Sequence, residues 1–189
     1  MDNPTTLLVA IMFVTILAMA IGNILMACAE IAGGLRHPVP ERIQLSWIFL
    51  TLFALLSLFW QTTVLLDIEE WLFVEFIYVI AGPMVLLFAA SVIIAPVKDE
   101  QSSENHSHFF GLCRRFFVML ALHEAWLLGI DYWYANFSTL SFINAAMLCL
   151  FLLLAVSRNI RVHIAGASLI WSGYIVAIVL HTLETTGTQ

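Results

Sequence analysis

The apolar positions of this chain fall in six long runs, broken by polar or turn residues at Gly33-Gly34, Asp67, Pro96-Val97-Lys98, Asn136 and Arg158-Asn159. A helix needs about 20 apolar residues to cross about 30 Å of hydrocarbon. By that measure the pattern predicts six transmembrane helices, over 6–32, 44–66, 71–96, 116–134, 138–157 and 162–183. Gly82-Pro83 lies inside the third, and the N–H that proline lacks predicts a kink there. The extended polar stretch 97–108 reads as a cytoplasmic connector between two groups of three spans, with a short helix leading into the fourth. The other connections are short, so consecutive helices are expected to be antiparallel neighbours. The expected fold class is all-α, an integral membrane helical bundle forming one domain over 1–189.

Composition strengthens this picture. Of the 189 residues, 62% are hydrophobic and 11% charged, with a mean hydropathy of +0.98. Soluble domains run at about 45–50% apolar and about 25% charged, which excludes a soluble globular enzyme. The length leaves no room for a catalytic domain outside the membrane. Met1-Asp2-Asn3-Pro4 has no basic residue ahead of the first apolar run, so that run reads as a retained helix rather than a secretory leader. Cys28, Cys113 and Cys149 have neither disulfide-framework nor zinc-site spacing. With no basic excess, nucleic acid is not an expected partner.

Charge sets an orientation. Arg36 and Arg42 precede the second span, Lys98, Arg114 and Arg115 precede the fourth, and Arg158 and Arg161 precede the sixth, which accounts for all 7 Lys and Arg. Asp2, Asp67, Glu69, Glu70, Asp131 and Glu184 fall on the opposite side. Basic loops stay cytoplasmic, so both termini are expected on the non-cytoplasmic side. Trp47, Trp71, Tyr132, Trp133 and Tyr134 lie near span ends, as interfacial aromatics do.

Ionisable side chains at membrane depth cost on the order of 2.5–3.5 kcal/mol on insertion scales and mark functional candidates. His123-Glu124 is the deepest pair, near the middle of the fourth span, and Glu124 and Asp131 share one helical stripe. With Gln61, Glu75 and His181 they form a set running from the midplane to the outer surface, suited to handling protons or cations. The alternative is that these groups fix helix contacts or reach the headgroups. A second set, Asn23, Glu30 and His163, faces the cytoplasmic half with a structural or gating role.

Other chemistries lack their residues. A haem would need two axial His at matching depth, whereas His123 is central and His163 and His181 lie near opposite ends, so a b-type haem protein is a remote reading. His123-Glu124 is followed by no second His, which removes a metalloprotease motif. No span holds a Lys for a retinal Schiff base. No cofactor or metal is expected. Two readings stand: a proton or cation channel or carrier, and a non-catalytic subunit or assembly component of a larger membrane complex. Beyond the lipid bilayer, the partners expected are further copies of the chain or other membrane subunits.

The Arg36-His37 loop, Trp60, Trp71 in an acidic loop, Pro83, Pro96 and the run Phe109-Phe110 to Arg114-Arg115-Phe116-Phe117 give the chain its likeness. It resembles a family of small, uncharacterised bacterial polytopic inner-membrane proteins. The resemblance implies a bacterial inner-membrane location and the six-span fold, and brings no catalytic or binding residues with it.

Overall fold

The computed structural model describes residues 4–35, 42–68, 71–95, 105–133 and 139–186, with side chains for all of these except 64, 66, 67, 105–108, 139 and 177–186. The described chain is all-α: α1 (Pro4–Ala32), α2 (Arg42–Trp60), α3 (Phe73–Ile93), α4 (Asn105–Trp133), α5 (Thr139–Val156) and α6 (Ile160–Thr186), with a 3₁₀ helix (Gln61–Asp67) continuing α2. Three stretches, Pro4–Ala32, Arg42–Thr63 and Phe73–Ile93, are long and apolar enough to cross a membrane, which points to a membrane protein. The apolar parts of α5 and α6 described here, Leu140–Val156 and Ile160–Val176, are shorter. The expected spans and the helices agree in order. The main differences are that α4 starts at Asn105 rather than 116, and that the second span tightens into 3₁₀ geometry after Trp60. Most of the expected cytoplasmic loop, 97–104, lies outside the described residues, as do Arg36, His37, Glu69, Glu70 and Tyr134.

Two helix ends show a local cause. At the end of α1, Gly34 takes a positive φ of 66°. That turn lets the Leu35 N–H reach the Glu30 carbonyl at 2.9 Å and the Gly34 N–H reach the Ile31 carbonyl at 3.2 Å. Glycine closes helices this way because it lacks the Cβ that penalises left-handed backbone. At the start of α3 the Glu75 carboxylate accepts the Leu72 N–H at 3.0 Å, satisfying a donor that the first helical turn leaves free. α3 then runs without interruption through Pro83.

Side-chain ties place the helices. Thr6 at the start of α1 donates to the Ile68 carbonyl at 2.7 Å and accepts from the Trp71 indole at 3.2 Å. The buried Gln44 at the start of α2 donates to the Ile93 carbonyl at the end of α3, at 2.8 Å. The Trp171 indole of α6 donates to Ser46 of α2 at 3.0 Å. α1 buries Phe13, Leu17, Ala20, Ile24 and Ala27, spaced four and three apart, so one stripe faces the interior. α4 lies between α3 and α5, and its Phe116 and Phe117 meet Trp47 of α2 edge to face. In lipid, contact of this kind carries helix association, because apolar surface gains little by leaving one hydrocarbon for another.

Candidate functional site

α4 meets α3 along a seam built on two absent side chains. A Cβ on Gly82 would overlap the Trp126 ring, and one on Gly129 would overlap the Tyr78 hydroxyl. With both missing, Tyr78 and Trp126 exchange hydrogen bonds. The Trp126 indole N–H donates to the Tyr78 carbonyl at 2.6 Å, and the Tyr78 hydroxyl donates to the Trp126 carbonyl at 3.0 Å. Residue numbers rise along α3 as they fall along α4 through these contacts, so the two helices are antiparallel.

His123 belongs to this seam. It is buried, its ring stacks on Trp126 with centroids 5.3 Å apart, and it lies near the Gly82 backbone. Its Nδ1 is buried without a partner among the described residues. A neutral imidazole that donates through one nitrogen presents a lone pair at the other.

Glu124, one position on, turns away from α3, because successive helix positions point about 100° apart. It lies close enough to the Tyr174 hydroxyl of α6 for its charge to act there, and that hydroxyl has Ser57 of α2 beside it. Ser57 of α2 and Tyr174 of α6 thus pair with each other within electrostatic reach of the half-buried Glu124, while His123 faces a different neighbour.

The remaining candidates divide by position. Glu75, besides capping α3, lines a small open recess with Tyr78, Val79, Ile130 and Trp133. Tyr78 and Trp133 stack at 6.2 Å. Asp131 follows directly on α4; it is half-buried, and its Oδ2 is buried without a hydrogen-bond partner among the described residues. Gln61 is exposed in the first turn of the 3₁₀ helix. The side chain of His181 lies outside the described residues.

His163 sits at the other end of the bundle. It is fully buried, hydrogen-bonded to the Ser157 carbonyl at 3.1 Å and enclosed by the rings of Phe109, Phe110 and Phe117. Asn23 and Glu30 lie on the outward side of α1, away from its buried stripe. The structure therefore brings Glu124 within electrostatic reach of Tyr174 and Glu75 into the recess beside Ile130. It keeps His163, Asn23 and Glu30 apart from both.

Trp126, Gly129 and Tyr174 belong to this constellation and were not singled out by the sequence reading. A signal existed for each. Trp126 and Tyr174 are aromatics far from the span ends where interfacial belts sit, and Gly129 follows Trp126 at the three-residue spacing that shares a helix face. Among the described residues no three His, Cys, Asp or Glu side chains gather as a metal site. Compared with protein-family models, curated proteins and solved structures, the chain matches none.

Proposed function

We propose that the protein is a six-span membrane protein of the bacterial inner membrane that translocates protons or cations, with Glu124 as the ion- or proton-binding carboxyl. The supporting observation is a half-buried carboxyl in an apolar helix, Glu124, within electrostatic reach of the Tyr174 hydroxyl of α6 that Ser57 of α2 accompanies. A carboxyl inside an apolar bundle is costly unless its surroundings receive it, and a neighbouring hydroxyl can support it as it gains and releases a proton or a cation. His123, with a free ring nitrogen one residue away, is the companion group, and the acids Glu75 and Asp131 lie further along the same bundle. The orientation is supported by charge. Arg42 opens α2, Arg158 lies between α5 and α6, and Arg161 is in the first turn of α6, where the positive-inside rule places cytoplasmic ends.

The test is flux into proteoliposomes holding the full chain, with a pH-sensitive dye inside and an imposed proton or potassium gradient. The wild type is expected to exceed protein-free vesicles, Glu124→Gln to fall to their leak rate, and Tyr174→Phe to lie between. Wild-type flux at the leak rate, or full flux from Glu124→Gln, would overturn the reading. In that event the subunit reading takes its place, favoured by the outward face of α1, and co-purification of stoichiometric membrane partners would identify it.

A further inference from the structure

We infer that Cys113 of α4 and His163 of α6 form a two-ligand site for a soft monovalent cation such as the cuprous ion. The site rests first on a pattern in α4. Phe109, Cys113 and Phe117 follow at four-residue steps, so they stand in one row on one face of the helix. The His163 ring touches both ends of that row, its centroid 5.3 Å from that of Phe109 and 5.2 Å from that of Phe117. Cys113 is the small side chain between two large ones, and the imidazole seats over the gap it leaves. Cys113 is 2% exposed and His163 0%, whereas Cys28 is half-buried and Cys149 exposed.

The tautomer of His163 is fixed by its neighbour. A carbonyl oxygen only accepts, so Nε2, 3.1 Å from the Ser157 carbonyl, carries the proton. Nδ1 then holds a lone pair on the side of the ring away from Ser157, and it is buried without a partner among the described residues. A buried acceptor of this kind is costly until something fills it. The rings of Phe109, Phe110 and Phe117 enclose the imidazole and bring it no donor. Cys113 sits at the centre of the row on which the imidazole rests, so a sulfur and a nitrogen lone pair share one water-free enclosure.

Chemistry selects the ion. Thiolate sulfur favours the cuprous ion and imidazole nitrogen suits copper, and a monovalent ion of this class is content with two ligands in line. Charge selects it too. One thiolate, one neutral imidazole and one monovalent ion sum to zero, the state an apolar interior accepts. A divalent zinc ion would leave a net charge there and lack the rest of its four ligands. As the ion binds, a sulfur–metal bond replaces the S–H bond, the proton passes to solvent and no electron moves. The site lies at the other end of the bundle from Glu75 and Asp131 and does not rest on the translocation reading.

Silver ion is the probe, being monovalent, thiophilic and redox-inert. It is added to the purified full chain in chloride-free detergent solution, with Cys28 and Cys149 replaced by alanine. One silver per chain is expected to survive dialysis, and its X-ray absorption should show one sulfur and one nitrogen neighbour. Cys113→Ala should abolish this binding. His163→Phe, which keeps a ring in the gap and removes the nitrogen, should weaken it about tenfold or more, as loss of a group that orients or binds a metal does. Uptake no greater than that of Cys113→Ala would overturn the inference and leave the pair a thiol–imidazole packing contact. A shell of sulfur alone would overturn it as well, and that reading is taken on the intact site, so it stands even where a variant fails to fold. Zinc retained as tightly as silver would overturn the assignment to a monovalent ion.

Discussion

Gly82 and Gly129 each give up a side chain so that Trp126 and Tyr78 can bond across the α3–α4 seam. The consequence is measurable, because glycine inside a helix is ordinarily a cost of about 1 kcal/mol relative to alanine. At Gly111 in α4, where a Cβ meets nothing within 4 Å, Gly111→Ala should hold or raise the thermal midpoint in detergent. At Gly82 and Gly129 the same change should lower it, since overfilling a close contact costs about 1–3 kcal/mol, or roughly 2–12 °C for a protein of this size. A drop at Gly111 matching that at Gly82 would show that the seam is not what these glycines serve. Single residues were legible to different degrees. Glu124 announces itself by charge in an apolar run, and the structure places it within electrostatic reach of the Tyr174 hydroxyl. The seam did not, because a backbone carbonyl is the acceptor for both Trp126 and Tyr78, and no sequence pattern records which carbonyl a side chain will find.

Whole helices were far more legible than their pairings. Six apolar runs gave six helices, in order, because helix formation in an apolar run needs no tertiary information once every backbone group must be bonded internally. The errors lie at ends, where such runs carry no stop signal. α4 extends back through Arg114 and Arg115 to Asn105, and α2 gives way to 3₁₀ geometry at Gln61. Contacts between elements were not readable, because helices that are apolar all round present no preferred face. One such contact carries a prediction. Gln44 is the side chain through which α2 holds the Ile93 carbonyl at the end of α3, so Gln44→Leu leaves a buried acceptor unpaired, at a cost of about 1–3 kcal/mol. A thermal midpoint lower by roughly 2–12 °C should follow, with helical content at room temperature unchanged. An unaltered midpoint would mean that water or lipid headgroups already serve that carbonyl.

At the scale of the whole molecule, the asymmetry of charge makes the sharpest prediction. Cysteines introduced at 69 or 70, in a chain whose native cysteines are replaced, should react with an impermeant maleimide added to intact cells. Those at 99–107 should react only after permeabilisation. The reverse pattern would invert the bundle and move the Glu75 recess to the cytoplasmic face. The α3–α4 seam also has a bearing on how the protein is made. Among the described residues α4, which carries His123, Glu124 and Asp131, is not one of the stretches apolar enough to cross on their own, whereas α3 is, and it presents the Tyr78 carbonyl that Trp126 of α4 uses. On the six-span reading, α3 emerges first and gains its seam partner only when α4 is synthesised. The 40 residues from Ile93 to Trp133 take about 2–8 s at ordinary elongation rates. For those seconds the Tyr78 carbonyl lacks its Trp126 donor, so the seam between the two helices closes only after α4 has been made.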